Sequence, residues 1–309
     1  MLSPVAPEAE AWPPFIGVEV DQPYEGAEVV IVPIPYEATT TYRKGCQQGP
    51  QAILRASDQL EYYDVELGCE PCFRLPLHTH AAIASSHHHP DLAPEAMVQQ
   101  VQSAVEPLLR DGKWVIALGG EHGITAGVVA AYQQVEPEPF TVVQIDAHGD
   151  LRDEYEGSRY NHACVMRRVL DLELPILPIG LRSFCREEAE LIAARSLTIL
   201  DDAFIAREPD WIEQAIRNIP TDSVFITIDL DGLSPALLPG VGTPQPGGLT
   251  WHQITQLLRR LFASRRVLGC DVMELAPLSE SVVSEFVAAK LVYKLVGYQA
   301  LSPHRRRRR

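Results

Sequence analysis

Short apolar runs alternate along the chain with stretches whose apolar positions recur every three to four residues, the pattern of parallel βαβ units. Strands are predicted over Glu28–Pro33, Trp114–Leu118, Phe140–Asp146, Ile176–Leu181, Leu197–Leu200, Val224–Asp229 and Val267–Met273. Helices are predicted over Pro50–Tyr63, Pro94–Leu109, Ile124–Gln133, Arg186–Arg195, Trp211–Ile216, Thr250–Phe262 and Ser281–Leu295, with Thr250 as an N-cap. Strands that are apolar throughout are buried on both faces, so the pattern predicts an α/β fold with one central, largely parallel sheet between two helical layers. No internal repeat is visible. Residues 1–25, rich in Pro and Glu, read as an arm that wraps the surface or joins an oligomer contact. Residues 26–303 read as one domain, and residues 304–309 as a short basic tail.

Composition narrows the class. Hydrophobic residues make up 46% and charged residues 22%, which is globular usage, and no apolar run approaches the roughly 18 residues that span a bilayer. The N-terminal residues lack a basic segment followed by an apolar one, so a cytoplasmic protein without a membrane partner is expected. A net charge of -15 opposes nucleic-acid binding and favours small cationic ligands. The run Arg305 to Arg309 reads as a solvated tail. Cys69 and Cys72 form one CxxC without a second pair, which favours a turn over a zinc site, and the six cysteines are expected to stay reduced. His87, His88 and His89, flanked by Ser and Pro, read as an exposed loop.

The polar motifs lie where apolar runs end, which is where open α/β sheets place their sites. LGGEHGIT, residues 118–125, presents His122 at a helix start. In DAHGDLRD, residues 146–153, Asp146, His148 and Asp150 stand two apart, so an extended backbone would turn all three to one side. Empty, such a row would repel itself and desolvate badly, which points to a bound cation. Asp229 and Asp231 repeat the spacing at the end of a buried strand, ahead of a long Pro- and Gly-rich loop, and GCDVMELAP places Glu274 at the end of the next apolar run. Two histidines and four aspartates, with no thiolate, suit manganese-like ions better than structural zinc. Six side chains are also too many for one ion with an open position. Two ions about 3.5–4 Å apart would use them all and activate a shared water.

With these residues in view, the chain resembles the ureohydrolase family, the arginase and agmatinase group, over nearly its whole length. The likeness rests on GGEHGIT, DAHGDLRD and IDLDGLSPALLPGVGTPQPGG, in that order, and on PIPYEATTTYRKGCQQGPQAIL near the start. It implies an arginase-like three-layer α/β/α sandwich assembled as a homotrimer or homohexamer, with two Mn2+ per chain. His122, Asp146, Asp150 and Asp229 would hold one ion, and Asp146, His148, Asp229 and Asp231 the other. Asp150 would also orient the hydroxide, Glu274 would pair with the guanidinium, and His162 in RYNHACVMRR would carry protons. The implied reaction splits a guanidino compound into urea and an amine.

DLRDEYEG followed by HACVMRR looks like agmatinases, which puts agmatine, giving putrescine and urea, first as substrate. N1-aminopropylagmatine, arginine and guanidinobutyrate are the alternatives. Asp153, Glu154 and Glu156 are placed to favour a distal ammonium. Ser234, Gly123 and Gly149 depart from the family's more usual residues and bear on loop position rather than on the ligands. A zinc deacetylase of the same broad fold would leave His122 and Asp150 idle, and a non-catalytic metalloprotein scaffold would have no need of the intact ligand set.

Overall fold

A computed structural model describes residues 12–305. Its strands are β1 (Val29–Ile34), β2 (Leu77–Thr79), β3 (Trp114–Gly119), β4 (Thr141–Ile145), β5 (Ile176–Ile179), β6 (Ser223–Asp229) and β7 (Arg266–Met273). They form one sheet in the order β2-β1-β3-β7-β6-β4-β5, with every strand pairing parallel. The helices are α1 (Gly49–Ser57), α2 (Pro94–Arg110), α3 (Thr125–Val135), α4 (Val165–Asp171), α5 (Arg186–Arg195), α6 (Asp202–Arg207), α7 (Trp211–Arg217), α8 (Trp251–Ser264) and α9 (Val283–Leu301).

Alternation within each strand divides the apolar residues between two cores. Val29 and Ile31 belong to the core of α1, α7, α8 and α9, whereas Val30 and Val32 belong to that of α2, α3 and α4. Burying each such side chain contributes about 1.5–3 kcal/mol, so both faces of the sheet are held and the expected α/β/α sandwich results. Thr250 caps α8 as predicted, its hydroxyl accepting from Gln253 N while the Gln253 side chain reaches back. Among the described residues no helix is long and apolar enough to cross a membrane.

Several boundaries differ from the sequence-based expectation, each for a local reason. The helix predicted to Tyr63 ends at Ser57, whose hydroxyl bonds back to Leu54 O and accepts Ile16 N from the N-terminal arm. Leu197–Leu200 makes one bridge to Ile179 instead of a strand. The left-handed Ser196 that ends α5 and the Asp201 cap of α6 leave too few residues between them for more. Strand β2 and helices α4 and α6, all short, are not predicted by periodicity.

From Trp12 onward the arm packs on the core through buried Phe15, Ile16 and Val20, while Asp21 accepts Thr79 N at the β2 edge. Residues 1–11 of the expected arm and Arg306–Arg309 of the tail lie outside the described residues. Arg305 is not simply solvated, since it pairs with Glu28 at 2.6 Å.

Four adjacent strands, β3, β7, β6 and β4, end side by side and carry the polar motifs. The loops after β4 and β6 meet at Gly232, where a Cβ would come within 2.7 Å of Asp146 N and 3.0 Å of Asp146 Cα. Backbone cannot yield as a side chain end does, so Gly232→Ala is expected to cost about 1–3 kcal/mol and to part the two loops. A urea unfolding curve and a bound-metal assay should therefore change together; a variant altered in neither would contradict this packing.

Candidate metal centre

Strand β4 stops at Ile145, and the five residues beyond it are not a simple extended row. His148 makes a single parallel bridge to Ser183, and Asp150 adopts a left-handed backbone with φ 53°. This twist sends the motif's side chains two ways. Asp150 Oδ2 reaches His122 Nδ1 at 3.1 Å, and His148 Nδ1 reaches Asp231 Oδ2 at 2.9 Å. Asp146 stands between, with Oδ2 at 3.1 Å from His122 Nδ1 and Oδ1 at 3.8 Å from His148 Nδ1. Asp229 Oδ2 completes the first group at 3.5 Å from His122 Nδ1, while its Oδ1 accepts Asp231 N at 2.9 Å. Two compact donor groups result, His122 with Asp146 and Asp229, and Asp146 with His148 and Asp231. All six predicted ligands are thus brought together, Asp146 being common to both groups.

Neighbouring polar groups aim these donors. His122 Nε2 lies 2.8 Å from Thr227 Oγ1, and donation there would leave the Nδ1 lone pair facing the carboxylates, available to a cation. Behind it, Thr125 donates to the fully buried Asp271 at 2.8 Å. Gln144 donates to Asp146 Oδ2, and the His148 and Ala147 amides donate to Asp146 and Asp231. Asp150 has a second task, its backbone carbonyl accepting Met166 N and Arg167 N from the first turn of α4. Gly149 is explained by Glu188, which accepts Leu151 N and Cys185 N, because a Cβ at Gly149 would fall 2.9 Å from Glu188 Oε1. A Cβ at Gly123 would sit 3.1 Å from Tyr160 O. The Ser234 hydroxyl accepts Ala236 N within its own turn.

Glu274 and His162 share the cavity with Asp150, Asp229 and Asp231, a hollow of ≈ 300 Å³. Glu274 is held with φ 68°, in the left-handed region a non-glycine residue occupies at a cost of about 1–3 kcal/mol. Its Oε1 accepts His122 N at 2.7 Å, so one oxygen of the expected guanidinium fork is already engaged. Further out the cavity reaches Tyr42, Tyr155 and Phe184. The acidic residues expected to read a distal ammonium do not line it. Asp153 is paired with Arg168 at 2.6 Å and Arg159 at 3.0 Å, and Glu154 and Glu156 are exposed on a loop closed by the Tyr155–Ser158 bridge.

The electrostatics test whether cations fit. Burial raises the carboxyls of Asp146, Asp229 and Glu274 above their ordinary range, and neighbouring carboxylates add to the effect. Burial and Asp146 push Asp150 up to about 7. Burial opposes a charge on His148, but its bond to Asp231 and the surrounding carboxylates outweigh this and raise it to about 10. His122 is raised in the same way, against its burial, by Asp146 and Asp150. Protons are therefore retained where divalent cations would balance the charge, and imidazole with carboxylate oxygen is a donor set that takes manganese-like ions. His162 goes the other way, held down at about 4 by burial and then by the imidazoles of His122 and His148.

Metal must displace those protons, and the sign follows from the raised values. Affinity is expected to rise about tenfold per pH unit for each proton displaced, with His148 contributing up to about pH 10 and Asp150 adding its proton below about 7. Calorimetric titration with Mn2+ in buffers of different ionisation enthalpy should show net proton release at pH 7; uptake of metal without it would count against this donor set.

The family model for the Arginase family matches residues 27–297. An N(1)-aminopropylagmatine ureohydrolase of Synechocystis sp. is 57% identical over 284 residues, covering 92% of this chain and 93% of that protein. The agmatine ureohydrolase structure of Thermoplasma volcanium superposes with TM-score 0.81 at 34% identity, covering 91% of this chain and 92% of that one. A formiminoglutamase of Trypanosoma cruzi, solved with Mn2+, shares the fold at TM-score 0.83 and 21% identity, over 95% of this chain and 100% of the other. With the motifs gathered at the ends of adjacent strands and the match spanning most of the chain, this protein belongs to the Arginase family.

Proposed function

We propose that this chain is a binuclear manganese ureohydrolase that releases urea from N1-aminopropylagmatine. One observation carries the reading: two overlapping donor groups share the buried Asp146 and open, through His148, Asp229 and Asp231, onto the cavity that Glu274 and His162 also line. His122, Asp146, Asp150 and Asp229 would hold one ion, and Asp146, His148, Asp229 and Asp231 the other. Such a pair supplies a hydroxide nucleophile near neutral pH by lowering the pKa of water. The zinc deacetylase alternative loses ground because His122 and Asp150 lie within the cluster instead of outside it.

The chain's own groups then do three things. Glu274 accepts the guanidinium N–H groups and sets the carbon over the cluster, its negative charge growing in value as water is excluded. Asp150 accepts a hydrogen bond from the attacking oxygen and so orients it. His162, neutral at pH 7, would take the proton of the added hydroxyl as the urea carbonyl forms and deliver it to the nitrogen whose C–N bond breaks, so that the amine departs as the corresponding polyamine.

Residue patterns alone put agmatine first. The relative at 57% identity reverses that order, and the aromatic side chains of Tyr42 and Phe184, both exposed beside the cavity, would suit a distal ammonium through cation–π contact. Agmatine is the second reading, favoured by the Thermoplasma structure. We also propose a cytoplasmic homotrimer or homohexamer without nucleic-acid or membrane partners, which sedimentation of the purified protein would check. The domain division proposed is an arm over residues 1–25, a catalytic unit over residues 26–303 and a basic tail over residues 304–309.

A urea-release assay across N1-aminopropylagmatine, agmatine, arginine and guanidinobutyrate is expected to give the first a kcat/KM at least about tenfold above the others. Urea from none of them would sink the proposal, and a preference for agmatine would restore the second reading. Asp146→Ala should lose bound manganese and turnover together. Glu274→Ala should keep the metal and lose roughly a hundredfold or more in kcat/KM, about 3 kcal/mol.

A further inference from the structure

One wholly buried carboxylate beside the cluster has no part in the reaction as derived so far. Glu121, next to His122, accepts Ala38 N at 2.6 Å and Thr39 N at 2.7 Å on Oε2, and the Thr39 hydroxyl at 2.8 Å on Oε1. Thr39 Oγ1 in turn accepts His162 N at 3.0 Å and lies 3.0 Å from His162 Nδ1. Thr39 thus joins the β1–α1 loop both to the first metal motif and to the loop that carries His162.

Counting protons gives this chain of contacts a direction. A threonine hydroxyl has one proton, and a carboxylate only accepts. Spent on Glu121, that proton leaves Thr39 with lone pairs alone for His162, where the backbone N–H takes one and Nδ1 must donate to the other. We infer that Glu121 and Thr39 are positioning residues that lock neutral His162 in its Nδ1–H tautomer and leave Nε2, which has no hydrogen-bond partner among the described residues, as the proton acceptor in the cavity. An imidazole without this lock would present an N–H in place of a lone pair for part of the time. The functional half of the inference rests on His162 as the proton carrier proposed above; the tautomer does not.

Magic-angle-spinning 15N NMR of histidine-labelled full-length protein, loaded with a diamagnetic divalent ion, reads the tautomer directly, and His162→Asn assigns the resonance. The expected result is protonated Nδ1 and unprotonated Nε2. Glu121→Gln should reverse the chain of bonds: its amide oxygen must accept the two backbone N–H groups, so its NH2 donates to Thr39, whose hydroxyl then donates to His162 Nδ1. His162 should switch to Nε2–H, and with manganese kcat should fall at least tenfold at nearly constant KM and metal content. Should that variant fail to fold, the pair Thr39→Val and Thr39→Ser decides: valine loses the preference and kcat, and serine restores both. Nε2–H in the unaltered protein, or a tautomer indifferent to both Glu121→Gln and Thr39→Val, would overturn the lock. Full kcat in His162→Asn would instead remove His162 from proton transfer and leave the tautomer result standing.

Discussion

The controlling constraint is electrostatic: acidic side chains gathered with two imidazoles into donor groups whose atoms lie within 4.8 Å of one another, and out of water. Asp146 is fully buried and Asp150, Asp229 and Asp231 nearly so, yet both histidines lie against them. Four carboxylates this close cannot all be charged in a low-dielectric interior unless positive charge joins them. The fold meets part of that demand with backbone N–H groups from Ala147, His148 and Asp231, and leaves the rest for cations. Parallel strands make this arrangement available, because β3, β7, β6 and β4 end together and direct their loops to one place.

Backbone geometry at the site is bought with local strain. Asp150 and Glu274 both take positive φ, and Glu274 follows β7 directly, so its side chain turns back toward the cluster instead of continuing the strand's alternation. Asp150 is stabilised where it stands, since its carbonyl serves the first turn of α4 while its carboxylate faces His122. Glu188 fixes the intervening loop from α5. These contacts fix where the donors stand, which is the preorganisation that electrostatic catalysis requires.

Much of this was legible in the residues, and the remainder was hidden for physical reasons. The long strands are uninterrupted apolar runs because both their faces are buried, whereas β2 has three residues at a sheet edge and no apolar run to mark it. The candidate ligands stood out because paired acids two apart after an apolar run have little other use. Gln144, Thr227 and Asp271 each interrupt the apolar run of a buried strand, a signal that is visible in the sequence but does not say what the residue serves. The link of Glu121 to Thr39 spans 82 positions and depends on β1 lying beside β3, which no local pattern encodes. Asp153 misled because charge near a motif does not reveal its direction, and Arg168 turns it away from the cavity.

The strand order also bears on how the protein is made. Strands β6 and β7, last in the chain, insert between β3 and β4, which were synthesised long before. His122 and Asp146 therefore cannot be set in their final relation until residues 223–273 have emerged and entered the middle of the sheet. A nascent chain that has not yet released them carries four of the six candidate donors, but on strands whose final spacing is not yet set, so the site is among the last features of the fold to form.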